Sequence, residues 1–387
     1  MKQTWRWFGP EDTVSLANIV QAGASGVVTA LDHIATGDPW PLTDVQTRKK
    51  MIEDAGLRWE VVESVPLHND IKTRSGDYQQ LIENYKESIR NLGQCGIHCI
   101  CYNFMPVVDW TRTSLNYLLP NQSEALRFEI VDFAAYDLLV LKRPGADQSY
   151  PDLVKKQAKR RFADMSPSEI TSLEKNIIAG LPGGEGSYDR AGILATIEEF
   201  ASISNNDYRK NLVSFLREII PVAEAADVHM AIHPDDPPFS LFGLPRVVST
   251  ADDARALLDE VPSAANGLTM CAGSYGARSD NDLVAMVKEF GSRIYFVHLR
   301  NIKREEHGSF HESEHLDGDN DIVGLIQALL SEENASGSEI PMRPDHGHTL
   351  ASELGDANVR PGYSFAGRLK GLAELRGVIH TVERLRQ

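Results

Sequence analysis

Eight short apolar runs, separated by stretches of helical periodicity, decide what this chain of 387 residues can become. Alternation of this kind builds βαβ units on a parallel sheet, because a parallel neighbour is reached only through a crossover. The runs are Thr4–Phe8, Gly26–Leu31, Arg58–Ser64, His98–Phe104, Val228–His233, Gly267–Ala272, Arg293–Arg300 and Ile340–Asp345. Helical stretches include Ser15–Gln21, Thr43–Gly56 and Tyr78–Gly93, whose Leu81, Ile82, Tyr85, Ile89 and Leu92 fall on one face. Between the fourth and fifth runs, residues 105–227 read as a long, mostly helical excursion with loops around Pro144-Gly145 and Leu181-Pro182-Gly183-Gly184. Eight strands with crossovers suit a closed (β/α)8 TIM barrel, which needs about 250 residues. The excursion accounts for most of the surplus. An open doubly wound sheet competes, but no G-x-G-x-x-G follows the first run. The expectation is a single TIM-barrel domain over 1–387 with a helical insertion, 105–227, after strand four.

Charge narrows the function classes. Lys and Arg number 39 against 55 Asp and Glu, a net charge of −16. That balance disfavours phosphate-tracking nucleic-acid binding and an anionic membrane surface. An anionic substrate would then have to be held by specific local cations. No run of about twenty apolar residues occurs, and Met1 to Trp7 contains no apolar signal core. The four cysteines, three bunched at Cys95, Cys99 and Cys101, do not form a disulfide framework, so a reducing cytoplasm is the expected compartment.

In a barrel of this type, function collects at the carboxyl ends of the strands. Runs five to eight each end near one metal-competent side chain: His233, Cys271, His298 and Asp345. Two imidazoles, a thiolate and a carboxylate can hold a divalent transition ion such as Mn2+, Fe2+ or Zn2+ and leave positions open for substrate. Singly, each has a plainer reading as a hydrogen-bonded core histidine or a small apolar cysteine. Four ligand types at four successive strand ends favour metal. The stretch Asp345-His346-Gly347-His348 sharpens this. If Asp345 is the last strand residue, His346 lies in the loop and the two can serve one ligand from different sides, with Gly347 permitting a tight turn. The plainer reading is a surface turn.

Two other clusters compete. His311-Glu312-Ser313-Glu314-His315 fits H-E-x-x-H, but a metalloprotease needs that motif on a continuous helix. Gly308 and Gly318 bracket it closely, and a loop over the barrel mouth fits better. Cys99 and Cys101, two apart on one strand face, read as reduced core residues.

The chain resembles the mannonate dehydratase family of sugar-acid catabolism. The strings that carry the resemblance run nearly end to end: Arg6-Trp7-Phe8-Gly9-Pro10, Asn103-Phe104-Met105-Pro106, Asp109-Trp110-Thr111-Arg112-Thr113, His233-Pro234-Asp235-Asp236-Pro237-Pro238, Met270-Cys271, Phe310-His311-Glu312, His315-Leu316, Arg343-Pro344-Asp345-His346-Gly347-His348 and Pro361-Gly362-Tyr363-Ser364. The resemblance implies a xylose-isomerase-like TIM barrel, dependence on Mn2+ or Fe2+, and conversion of D-mannonate to 2-dehydro-3-deoxy-D-gluconate in glucuronate catabolism. It also implies His233, Cys271, His298 and Asp345 as ligands, with His346 and Tyr363 catalytic. The chain departs from the family pattern at Asp32, where His is usual, and at Ala272, where Thr is usual. An added carboxylate at the barrel mouth would disfavour an anionic substrate.

Removing the C2 proton of a sugar acid builds charge on a group that is already anionic, which a chelated divalent ion would take up. His346 is the candidate base, and Tyr363 or a metal-bound water the candidate acid. Arg6, Arg300, Lys303 and Arg343 are candidates for holding the carboxylate, and Asn103 is a further substrate-binding candidate. Other readings are a metal-dependent sugar isomerase or epimerase, a barrel-type nuclease, and a non-catalytic sugar-acid-binding protein. The long insertion is expected to support a homodimer.

Overall fold

The computed structural model describes residues 1–178 and 190–386; the expected loop at Leu181 to Gly184 lies outside the described residues. In chain order the strands are β1 (Lys2–Arg6), β2 (Gly26–Thr29), β3 (Arg58–Glu63), β4 (Cys99–Tyr102), β5 (Ser114–Leu118), β6 (Glu124–Phe128), β7 (His229–Ile232), β8 (Asn266–Cys271), β9 (Ile294–His298), β10 (Ile302–Arg304), β11 (Phe310–Glu312) and β12 (Pro341–Arg343). Eight of them close a barrel in the order β1-β12-β9-β8-β7-β4-β3-β2, and every pairing around it is parallel. These eight match the eight apolar runs to within two residues at either end.

Side chains alternate along a strand, so every second residue faces the barrel axis. Val28, Val61, Cys99, Cys101, Ala231 and Phe296 pack there as one buried cluster. The same alternation puts Glu63, Asn103, His233 and His298 two residues further on, at the carboxyl end. Cys271 follows Thr269, whose hydroxyl donates to Ala231 O at 3.1 Å inside the barrel. Outside, a continuous apolar core seats the helices against the strands. Helix Tyr78–Gln94, for example, buries Ile82, Tyr85, Ile89 and Leu92. All four cysteines are buried and free. Among the described residues, no helix is long and apolar enough to cross a membrane.

The excursion after β4 opens on a β-hairpin, and only then becomes helical. That hairpin, β5 and β6, joins β11 and β10 in a four-stranded antiparallel sheet. Phe128 stacks on Phe310 at 5.9 Å between centroids and ties the hairpin to the segment that follows β9. Because β10 and β11 continue from the carboxyl end of β9, this side sheet delivers residues to the functional end of the barrel.

Candidate metal centre and active site

Neighbouring strands β7, β8 and β9 bring His233, Cys271 and His298 together, with one donor atom from each lying within 4.8 Å of the others. Cys271 and His298 are register partners. His233 Nδ1 lies 2.7 Å from Pro234 O, a pure acceptor, so Nδ1 carries the proton and Nε2 presents its lone pair. His298 Nε2 sits between Glu63 Oε1 at 3.2 Å and Arg343 Nε–H, which donates to it at 3.1 Å, and its Nδ1 points toward His233. His233 Nε2 and His298 Nδ1 face each other at 3.2 Å. The two imidazoles thus turn one nitrogen each toward a common point, and Cys271 supplies a buried sulfur beside them, the donor chemistry of a transition-metal centre. Burial also pushes the His233 pKa down, which keeps the imidazole neutral and able to ligate. The residues therefore fit a divalent transition ion.

Asp345 is the fourth predicted donor. Its Oδ2 is 3.8 Å from His298 Nδ1, next to the three-donor cluster but outside it. Arg300 Nη1 at 3.1 Å and Arg343 Nη1 at 2.5 Å hold the carboxylate. Although burial opposes it, Arg343, the neighbouring histidines and Arg300 keep the Asp345 pKa well below the usual carboxylate range. The local backbone differs from the sequence expectation. Strand β12 stops at Arg343, and Asp345 itself turns the chain with φ 65°. Gly347 is needed for close approach, because a Cβ there would sit 2.3 Å from the backbone nitrogen of Arg368. Its N–H donates to Gly362 O at 2.8 Å, joining the Asp345 loop to the segment that carries Tyr363.

Around the donors lies a buried ionic lattice. Arg112 grips Asp236 with both Nη atoms at 2.8 and 3.1 Å and reaches Glu312 at 3.0 Å. Arg300 bridges Asp236 at 2.8 Å and Asp345, while Arg343 bridges Glu63 at 2.9 Å and Asp345. Three guanidiniums thus serve four carboxylates, each of which has at least one of them as a partner. Glu312 has His346 as well: Nδ1 sits 2.7 Å from both Glu312 oxygens. Burial alone would raise the Glu312 pKa, but His346 and the two arginines outweigh it and bring it to about 2. On its other side, His346 Nε2 is 3.3 Å from Tyr363 Oη, and Trp110 stands edge-on to the ring at 5.8 Å.

These groups open on a cavity of about 90 Å3 lined by Arg6, Glu63, Asn103, Trp110, His233, Arg300, Arg343, Asp345, His346 and Tyr363. A larger cavity of about 400 Å3 sits at the amino ends of the strands, against Lys2, Arg58 and His229, away from the donors. Of the predicted carboxylate holders, Arg300 and Arg343 are committed to protein carboxylates. Arg6 is not: its Nη1 donates to Trp7 O at 2.8 Å, its guanidinium lies 4.4 Å over Phe8, and it has no ion pair among the described residues. Lys303 does not line the cavity; it sits on β10, paired with Asp319 at 3.3 Å.

The two departures from the family pattern fall away from the cavity lining. Asp32 is exposed, and its charge acts on Arg48. Ala272 is buried in the helical turn Ala272–Gly276.

The H-E-x-x-H string is dispersed, since its first half is strand β11. His311 Nδ1 faces Glu305 at 2.6 Å, whereas His315 Nε2 faces Pro344 O at 2.8 Å. Only Glu312 of that string enters the active-site lattice. Sequence reasoning gave no role to Glu63, or to Trp110, Arg112 and Asp236, which it quoted only within the strings that carry the family resemblance. Glu63 carried a readable signal, because it ends the third strand at the same height as the metal donors.

A family model described as D-mannonate dehydratase (UxuA) matches residues 1–387. A mannonate dehydratase of Saccharophagus degradans is 62% identical over 393 residues, covering 100% of this chain and 99% of the relative. The crystal structure of mannonate dehydratase from Streptococcus suis serotype 2 is 35% identical, with a TM-score of 0.79 over 100% of this chain and 94% of that one. A D-allulose 3-epimerase from Methylomonas sp. covers 97% of both chains at a TM-score of 0.51 but 13% identity, a likeness of fold alone. With a family match over its whole length and a relative of such high identity, the chain belongs to the D-mannonate dehydratase family of hydro-lyases.

Proposed function

We propose that the chain removes water from D-mannonate to give 2-dehydro-3-deoxy-D-gluconate, using Mn2+ or Fe2+ held by His233, Cys271, His298 and Asp345. The observation that carries this reading is the meeting of His346 Nε2 and Tyr363 Oη, 3.3 Å apart, on the cavity that His233 of the donor set and Asp345 also line. The reaction takes a proton from C2 and expels the C3 hydroxyl as water, and the enol that results tautomerises to the 2-keto acid. When bound, the ion supplies Lewis-acid stabilisation of the charge that develops on the substrate carboxylate.

Side chains handle the protons. His346 Nε2, bare because Nδ1–H is engaged by Glu312, accepts the C2 proton. Tyr363, its pKa pushed up to about 12 by burial, stays protonated near neutrality and gives its proton to the departing hydroxyl. Arg6 holds the carboxylate as the lining guanidinium that makes no ion pair among the described residues. Arg300 and Arg343 keep Asp345 aimed at the centre, and Asn103 is placed to meet a sugar hydroxyl. A role in glucuronate catabolism, a cytoplasmic homodimer, and one barrel domain with 105–227 as its insertion belong to the same proposal.

Incubating the enzyme with D-mannonate and Mn2+ tests the reading. The expected product is a 2-keto-3-deoxy acid lighter than the substrate by one water. A product isomeric with the substrate would replace it with the isomerase or epimerase reading.

A further inference from the structure

We propose that Glu312 is a positioning residue for the base: it fixes His346 in the tautomer whose Nε2 lone pair faces the reacting carbon. The proposal rests on His346 being the base. Both Glu312 oxygens lie 2.7 Å from His346 Nδ1, and a carboxylate can only accept, so Nδ1 carries the hydrogen. In the neutral ring Nε2 is then bare, and the Tyr363 hydroxyl at 3.3 Å donates to it. Without that acceptor the proton could sit on Nε2 instead, and the lone pair would face away from the substrate. The carboxylate is itself clamped. Arg112 holds it at 3.0 Å while its other hydrogen bonds engage Asp236 and Thr111 O, and Glu312 is 3% exposed.

The source of this residue matters. Glu312 belongs to β11, which pairs with β10 and β6 of the side sheet and not with the barrel. Arg112 comes from the chain that leads into β5. The barrel thus supplies the metal donors, whereas the side sheet sets the orientation of the base. A carboxylate that orients an imidazole without taking its proton is worth several powers of ten in the serine-protease triad.

The test compares Glu312→Gln and Glu312→Asp with His346→Asn in the full-length, metal-loaded enzyme. Loss of base orientation predicts that Glu312→Gln lowers kcat roughly 100-fold, with KM and bound metal unchanged, and that Glu312→Asp recovers part of the loss. Proton NMR of the zinc-loaded enzyme adds a spectroscopic readout. A far-downfield imidazole N–H resonance absent from His346→Asn should move upfield in Glu312→Gln. The resonance of the His311–Glu305 pair, also short at 2.6 Å, should stay where it is. If Glu312→Gln fails to fold, Glu312→Asp, which keeps a negative partner for Arg112, carries the same readouts. Parental kcat and an unmoved resonance in the Glu312 variants, with His346→Asn inactive, would overturn the positioning role alone. Loss of metal or a raised KM in step with kcat would overturn it in favour of a structural role. An active His346→Asn would remove the base assignment beneath it.

Discussion

His346→Asn should keep the metal and lose turnover of D-mannonate by roughly a thousandfold. An Asn amide can still donate to Glu312, so the buried carboxylate keeps a partner and the lattice around Arg112 stays satisfied. What disappears is the ring nitrogen that reaches past the side chain toward Tyr363 and the cavity. No other imidazole can take its place. His233 Nε2 and His298 Nδ1 are turned toward each other, and His348 is held by Glu312 O at 3.1 Å. Steady-state kinetics beside elemental analysis of bound metal would check this. Near-parental turnover would place the base elsewhere.

Cys271→Ser should lower metal content and activity together. The substitution keeps the shape of a fully buried side chain and leaves both imidazoles in position, so the barrel is expected to fold. A serine hydroxyl does not ionise near neutrality, and the centre loses its one soft anionic donor. Removing even an indirect partner of a ligand costs about 10–100-fold in affinity, and removing a ligand should cost no less. Metal titration of the stripped variant measures it. Full metal content with full activity would take Cys271 out of the ligand set.

The barrel was legible because its signal is physical and repeated. Eight runs with apolar alternation, each followed by a crossover, leave a closed parallel sheet as the economical solution, and the strands agree to within two residues. The donors at the ends of β7, β8 and β9 were legible for the same reason, since strand period and barrel register together fix which side chains share a height. The hairpin β5–β6 was not. Ser114–Leu118 is largely half-exposed and carries no continuous apolar run, and its partners β10 and β11 are three residues long. Such strands are specified by the surface they land on.

Glu312 was hidden in the same way. In sequence it belongs to a protease-like string, and only the side-sheet register reveals that it points at His346. Gly347 shows a subtler limit. A glycine after Asp-His reads as a turn, yet Asp345 makes the turn, and Gly347 is there because helix Phe365–Leu385 packs against it. Asp345 lies two residues beyond the strand that the pattern ran through it, and its carboxylate is shared with two arginines that no local pattern announces.

Anomalous diffraction at the manganese edge, from crystals grown with Mn2+, addresses the convergence of neighbouring strand ends on one cation. A single strong peak is expected within bonding distance of His233 Nε2, Cys271 Sγ, His298 Nδ1 and an Asp345 oxygen, with Asp345 shifted from its present 3.8 Å separation from His298. A peak elsewhere in the molecule, or none at saturating Mn2+, would contradict it.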